Sequence, residues 1–371
     1  MKNLVDLDLA GKKVGIRVDL NVPIDNGIIL NSERLSAALP SILHILKQTD
    51  DLTVITHLGR PKEGSYDEQF SIKPIVEWFK KRLNRDISLC TNFKSLPASL
   101  CFVENIRFFD GESSNSNLLA EEIAKSFDIY VMDAFATAHR KAASTYGAIK
   151  KSTLACAGIL FQNEVENISS ALVEGSSLSS IVGGSKVSTK LEVISNLLNK
   201  SEKVLVGGGI ANTFLKAAGN EIGNSLCEND MLGIANQMLS TGKIVLPRKV
   251  MVATSTTDEN VEVVDFDSVP QTKMILDIEF NEEEFSSNTS EIIIWNGPLG
   301  IFEIDAFSKG TDSLVSYLST TKSKVIAGGG ETIFAITKFS SIDNFNYVST
   351  AGGAFLEFLG GRELPSIQAL N

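Results

Sequence analysis

The sequence predicts an α/β protein of two lobes, each a parallel sheet flanked by helices, joined by a hinge helix. Three observations carry this. Short apolar runs of strand length alternate with longer helical stretches along the chain, the pattern of parallel sheets covered on both faces. An arginine-bearing or glycine-rich loop follows most of the apolar runs, and open parallel sheets bind ligands beyond the carboxyl ends of their strands. The 371 residues are long for one core and comfortable for two.

The elements follow in order. Val14–Val18 reads as a strand, Arg34–Gln48 as a helix and Leu52–Thr56 as the next strand. Pro74–Leu83 contains a helix, Leu100–Val103 is a strand, Leu118–Ser126 a helix and Ile129–Met132 a strand. The second half repeats the Rossmann-like plan. Its short strands are Ser180–Val182, Val204–Val206, Ile292–Trp295, Val325–Ala327 and Tyr347–Val348. Helical segments at Lys190–Leu198, Asn229–Leu239, Asp312–Leu318 and Thr332–Phe339 lie between them. Phe161–Glu174 has helical character and precedes the polar Gly175-Ser176-Ser177, so the lobes are expected at 1–167 and 168–354. The tail, 355–371, is expected to be helical and then extended, and to pack back on the first lobe.

Composition excludes several classes. A net charge of −11 argues against nonspecific nucleic-acid binding, which needs a basic surface. Residues 1–167 hold 20 Lys+Arg against 21 Asp+Glu, so nearly all the negative excess falls on the second half. The first half therefore has its arginines for local use. Cys90, Cys101, Cys156 and Cys227 form no CxxC pair, which fits free thiols in a reducing compartment. The start lacks a signal peptide's apolar stretch, and no apolar run approaches the ~18–20 residues of a membrane span. A cytoplasmic protein without membrane or nucleic-acid partners is expected. The chain also lacks GxxxxGK[ST], GxGxxG with a following acid, GxSxG and HExxH.

The loops carry the chemistry. The first half presents Arg17-Val18-Asp19-Leu20-Asn21-Val22-Pro23, Arg34, His57-Leu58-Gly59-Arg60-Pro61, Glu104-Asn105-Ile106-Arg107-Phe108 and Asp133–Arg140. Guanidinium forks match phosphate and carboxylate oxygens, so this set suits a small anion. Asp19 and Asn21, two apart on an extended segment, can hold a substrate hydroxyl. The second half presents Gly183–Lys190, Gly207-Gly208-Gly209, Trp295-Asn296-Gly297-Pro298, Gly328–Thr332 and Ser349–Gly353. Glycine turns after strands let backbone N–H groups approach phosphates. Lys186 and Lys190, four apart at a helix start, lean toward the end where anions collect. Glu331 can act as a first-turn carboxylate or as a Mg²⁺ ligand beside nucleotide phosphates. Glu303 is a candidate for ribose hydroxyls.

Taken together, these segments resemble the phosphoglycerate kinase family over essentially the whole chain. The quoted runs from Arg17 to Arg140, Gly183–Lys190, Trp295–Pro298, the Gly-Gly-acid-Thr turn at 329–332 and Leu364-Pro365-Ser366 match in order. The resemblance implies phosphoryl transfer between ATP and 3-phosphoglycerate, giving 1,3-bisphosphoglycerate and ADP, with Mg²⁺ as cofactor. It implies phosphoglycerate binding by Asp19, Asn21, Arg34, His57, Arg60, Arg107 and Arg140. It assigns the Mg-nucleotide to Lys190, Asn296, Glu303 and Gly329-Gly330-Glu331-Thr332, with Gly207–Gly209 against the base and Glu331 on the metal. Arg34 would orient the acceptor carboxylate, and Lys186 would stabilise the moving phosphoryl group. Hinge closure, in-line transfer and a monomer are implied with it.

Some positions depart from the family pattern. Glu331 stands where an Asp is usual, Ala351 and Ala136 replace usual glycines, and Phe355 ends a run that usually closes in Ser. These departures motivate the alternative of a degenerate relative that binds phosphoglycerate or nucleotide without turnover. The retained basic residues favour the active enzyme.

Overall fold

The structure is a computed structural model that describes the chain except residues 174, 176, 259, 283, 284 and 286–289. The chain divides into two compact units, Met1–Glu166 with Glu363–Asn371, and Asn167–Arg362.

The first unit is built on a six-stranded parallel sheet. Its strands are β1 (Val14–Val18), β4 (Leu52–Ile55), β5 (Ser88–Cys90), β6 (Cys101–Val103), β7 (Ile129–Asp133) and β8 (Ala155–Ala157), in the order β5-β6-β4-β1-β7-β8. A small hairpin, β2 (Ile24–Asp25) and β3 (Ile28–Ile29), lies outside it. Every residue of β1, β4 and β7 is buried, as expected for central strands covered on both faces. The register pairs Val18 with Asp133, so the loops after β1 and β7 leave the sheet side by side. Helix α1 (Glu33–Leu46) buries Leu35, Ala38, Leu39, Ile42 and Ile45, a stripe at i, i+3, i+4, i+7 and i+10. That stripe fixes Arg34 at the first turn, on the side of the strand ends.

The second unit repeats the plan. Strands β9 (Leu178–Val182), β10 (Lys203–Val206), β11 (Ile244–Val245), β15 (Ile292–Asn296), β16 (Lys324–Gly328) and β17 (Tyr347–Ser349) form a parallel sheet in the order β11-β10-β9-β15-β16-β17. Glycines sit at the carboxyl ends of four of these strands. Gly208, at φ +63°, is one that the close packing requires. A Cβ there would approach the Gly184 carbonyl oxygen to 2.7 Å.

An antiparallel sheet of β12 (Lys249–Ala253), β13 (Glu262–Asp265) and β14 (Met274–Ile278) is a further component, with order β13-β12-β14. This sheet is not evident from the sequence pattern, because β13 is mostly exposed and carries little apolar alternation. Helix Gly208–Ala217 is equally hard to read from sequence, since it opens on glycines with no capping side chain.

Helix Ile159–Ala171 replaces the expected Phe161–Glu174, of which Glu174 lies outside the described residues, as does Ser176 of the polar run after it. The division between units falls inside this helix. Phe161 anchors its start by packing edge-on against Phe135, with ring centroids 5.5 Å apart. Removing that buried ring would cost about 3–5 kcal/mol.

The tail differs from expectation in two ways. Only Glu363–Asn371 belongs to the first unit, whereas helix Gly353–Leu359 packs in the second. The last segment is helical (Pro365–Leu370) rather than extended. Proline at its first turn and two hydrogen bonds hold it there. Ser366 Oγ donates to the Thr145 carbonyl at 2.7 Å, and Ser366 N donates to that of Ala138 at 3.1 Å. No helix among the described residues is long and apolar enough to cross a membrane.

Candidate active site

The first unit holds a cavity of about 370 Å³ whose walls include Arg17, Arg60, Arg107 and Arg140, with Lys141 and Thr137. Arg17 lies near the carboxyl end of β1 and the other three arginines in the segments after β4, β6 and β7, so the sheet register gathers cations that are far apart in sequence. Arg107 is pushed down to about 10 by burial and by its neighbours Arg140 and Arg17. Like charges crowded in this way favour any anion that enters.

The loops are held by polar contacts that leave the guanidiniums little freedom. Asn105 Nδ2 donates to the carbonyls of Leu58 (2.7 Å) and Phe70 (2.9 Å), while its Oδ1 accepts from Arg107 N at 3.1 Å. Arg107 Nη1 also donates to the Gly59 carbonyl. Asn21 Oδ1 accepts from Gly59 N at 2.8 Å, which ties the loop after β1 to the loop after β4.

Next to the cavity runs a chain of side chains. Arg34 Nη1 donates to Asp19 Oδ2 at 2.7 Å. Asp19 Oδ1 lies 3.8 Å from His57 Nδ1, and Arg17 Nη2 stands 3.2 Å from that same ring nitrogen. His57 is 3% exposed. Burial first, then Arg17, Arg107, Arg140 and Arg34, holds its pKa well below the usual histidine value. It is therefore neutral. Arg17 can only donate, so Nδ1 accepts and the ring proton sits on Nε2.

The structure thus gathers Arg60, Arg107 and Arg140 around one cavity, and joins Asp19, Asn21, Arg34 and His57 in an adjoining network. Arg17 was absent from the expected binding set, yet it touches both groups. Its signal was present in the sequence as the first basic residue of the first loop motif.

The second unit holds a separate cavity of about 380 Å³. Gly184, Gly208 and Gly209 form one wall, Leu226, Leu276 and Leu299 give it apolar surface, and the carboxylate residues Glu303 and Glu331 also line it. Of the expected nucleotide residues, Gly208, Gly209, Glu303 and Glu331 line this space.

The others lie behind or beside it. Gly207 caps helix Gly208–Ala217 and donates to the Val182 carbonyl. Thr332 Oγ1 accepts from Gly297 N at 2.8 Å, and Asn296 Nδ2 donates to the Gly328 carbonyl at 2.6 Å. These two side chains lock the loop after β15 to the one after β16. Gly329, at φ +104°, makes the turn into helix Gly330–Phe339. Lys190 Nζ donates to the Gly183 carbonyl at 2.6 Å beneath the glycine turn. Burial pushes its pKa down to about 8, against the opposing pull of Glu331. Lys186 is exposed at the N-cap of helix Val187–Lys200. Phe355 is buried against Gly328, so this departure serves packing.

One parallel-sheet unit that concentrates guanidiniums and a second that walls a cleft with glycine turns are the two halves of a small-molecule phosphotransferase. Comparison with known proteins specifies which one. Residues 4–362 match the sequence model of phosphoglycerate kinase. The chain is 44% identical to the phosphoglycerate kinase of Francisella philomiragia, over 99% of this chain and 97% of that one. It is 44% identical to that of Coxiella burnetii, over 98% and 97%. The solved Coxiella burnetii structure superimposes with a TM-score of 0.93 at 43% identity, covering 99% of this chain and 97% of that one. The phosphoglycerate kinase of Pyrococcus horikoshii gives 0.81 at 27% identity, covering 100% and 98%. The chain belongs to the phosphoglycerate kinase family. It is an enzyme that passes a phosphoryl group reversibly between ATP and the carboxylate of 3-phosphoglycerate.

Proposed function

We propose that the first unit binds phosphoglycerate and the second binds the Mg-nucleotide, and that the two close about the intervening helix for direct in-line transfer. The observation that carries this is the ring of four arginines around one cavity, with Arg107 pushed down by burial first and then by its neighbours. Arg17, Arg60, Arg107 and Arg140 take the substrate phosphate. Asp19 and Asn21 hold its hydroxyl, neutral His57 donates from Nε2, and Arg34 orients the carboxylate. That acceptor is already ionised at neutral pH, so no general base is required. Lys186, exposed at the N-cap of helix Val187–Lys200, meets the phosphoryl group as charge moves. Lys190, Glu303 and the turn Gly329–Thr332 serve the nucleotide, with Gly207–Gly209 and Asn296 shaping the walls. Closure keeps water from the acyl phosphate.

The residues present fit a Mg²⁺ that arrives with the nucleotide. Among the described residues no group of three or more His, Cys, Asp or Glu is placed to hold a metal. Glu331 is a carboxylate at a helix start on the wall of the nucleotide cavity. Mg²⁺ commonly takes one or two protein carboxylates and completes its shell with phosphates and water. Bound there, it would neutralise phosphate charge.

We further propose a cytoplasmic monomer without nucleic-acid or membrane partners, supported by the acidic charge and by two cavities each built within this chain. The test is ATP-dependent turnover of 3-phosphoglycerate, coupled to NADH oxidation through glyceraldehyde-3-phosphate dehydrogenase. Turnover that vanishes in Arg34→Ala supports the assignment of the first unit. Undiminished turnover in that variant removes it.

A further inference from the structure

We propose that Glu112, acting through Ser144, is a positioning residue that aims Arg17 into the anion cavity and so fixes the proton of His57. The proposal rests on the reading of that cavity as the phosphoglycerate site.

The geometry is a continuous relay. Glu112 Oε1 accepts from Ser144 Oγ at 2.5 Å, and its Oε2 accepts from Ser144 N at 2.9 Å. The Glu112 carbonyl accepts from Ala143 N at 2.9 Å. Tyr130 Oη donates to the Ser144 carbonyl at 2.7 Å. Ser144 is thus held on three of its four polar functions. Its hydroxyl proton is committed to a carboxylate, which leaves a lone pair to face outward. Arg17 Nε donates to that hydroxyl at 3.0 Å. Arg17 Nη1 donates to the Val18 carbonyl and Nη2 stands at His57 Nδ1. The guanidinium is therefore fixed at each of its three nitrogens.

The arrangement is buried throughout. Exposure is 5% for Glu112, 0% for Ser144 and 2% for Arg17. A carboxylate placed here is costly. Burial raises its pKa above the usual carboxylate value, against the opposing pull of Arg17 and the Ser144 bonds. A buried ionisable group with every oxygen used is a device for fixing geometry more than for gaining stability. Glu112 also borders the cavity. Its negative charge balances the crowded guanidiniums while no anion is bound, so Arg17 is aimed before the substrate arrives rather than by it.

The test is a double-mutant cycle read by titration calorimetry. Ser144→Ala deletes one oxygen and should weaken 3-phosphoglycerate binding about tenfold, with ADP affinity unchanged. Arg17→Lys has no Nε–H at that position, so adding Ser144→Ala to it should weaken binding no further. Glu112→Asp keeps the charge but withdraws it from Ser144. It should reproduce the Ser144→Ala loss, which keeps the idea testable if one variant folds poorly. Ring ¹⁵N shifts should show a single Nε2–H tautomer of His57 in the wild type and a mixture in Ser144→Ala. Loss of ADP affinity in parallel, or equal losses in both Arg17 backgrounds, would reduce the relay to general packing and overturn the proposal. Arg107→Ala is the control. If it weakens 3-phosphoglycerate and Ser144→Ala does not, this inference alone fails. If neither weakens it, the reading of the cavity fails with it.

Discussion

Arg34 Nη1 lies 2.7 Å from Asp19 Oδ2 and 3.2 Å from the Asn21 carbonyl oxygen, so one guanidinium nitrogen is held by the loop after β1. The side chain is still 32% exposed, against 9% for Asp19. The fork is thus tied to Asp19 and to the Asn21 carbonyl while about a third of the side chain stays exposed. Arg34→Lys keeps the charge but cannot bridge Asp19 and a carboxylate together. We expect kcat/KM for 3-phosphoglycerate to fall about 10²-fold, ~2.7 kcal/mol of transition-state stabilisation, with the KM for ATP within threefold. A loss under threefold would remove Arg34 from the reacting centre.

His57 makes proton uptake a signature of substrate binding. Its pKa is well below normal because it is buried among cations. The unfolded chain therefore binds a proton below about pH 6.5 that the folded enzyme refuses, and this group's contribution to stability falls as pH drops below that value. An anion in the cavity offsets the cations and raises the histidine. Calorimetry near pH 5.5, in buffers of different ionisation enthalpy, should show protons taken up with 3-phosphoglycerate. His57→Asn should abolish that uptake. Equal proton uptake in wild type and variant would show that another group is responsible.

Lys190 has the opposite charge relationship with its ligand. It is pushed down to about 8 beneath the Gly183 and Asn296 carbonyls. Between about pH 8 and its ordinary value of 10.5 the unfolded chain binds a proton that the folded one does not. Its contribution to stability therefore falls as pH drops through that window and stays at its least favourable below pH 8. Lys190→Met should accordingly leave Tm at pH 7 unchanged or higher while weakening ATP binding at least tenfold. A lower Tm with normal ATP affinity would make this lysine a structural prop.

What the sequence makes legible depends on the kind of signal. Nine of the parallel strands, and the helices that carry motifs, are readable because each pairs an apolar run with a glycine or arginine stop. The strand ends of β1 and β7 even place Arg17 and Asp133 within one residue of each other's register. What stayed hidden was burial and direction. Lys186 and Lys190 look equivalent in sequence, yet one is exposed at an N-cap and the other lies under a glycine turn. Asn296 and Thr332 read as ligand groups, and only the fold shows that Asn296 Nδ2 and Thr332 Oγ1 also join two loops. Glu112 and Ser144 are single polar residues 32 apart, one in a turn and the other in the π-helical turn Ala143–Gly147. Only the fold turns them into a pair.

Lys186 is placed for a role confined to the transition state. It is exposed, and its charge has a minor part at Glu228, where burial raises the pKa and hydrogen bonds from Ser188 and Val187, with Lys186 last, bring it below the usual value. A side chain with so little holding it makes no preformed ground-state contact that binding could use. Lys186→Ala should lower kcat at least 10²-fold and shift the KM values for either substrate by less than threefold. Near-normal turnover would exclude it from the transfer step.

Glu331 tests whether this chain has adapted its metal ligand. The carboxylate begins helix Gly330–Phe339 and lines the nucleotide cavity, one methylene longer than the Asp usual in the family. That methylene moves the oxygen by roughly 1 Å, and Mg²⁺ demands near-ideal octahedral geometry. Glu331→Asp should therefore preserve activity or raise it, and should lower the Mg²⁺ concentration at half-maximal rate. Thermal unfolding should be unchanged, since the side chain is exposed. A collapse of turnover with Tm intact would mean that the surrounding turn, with Gly329 at φ +104°, is set for the longer acid.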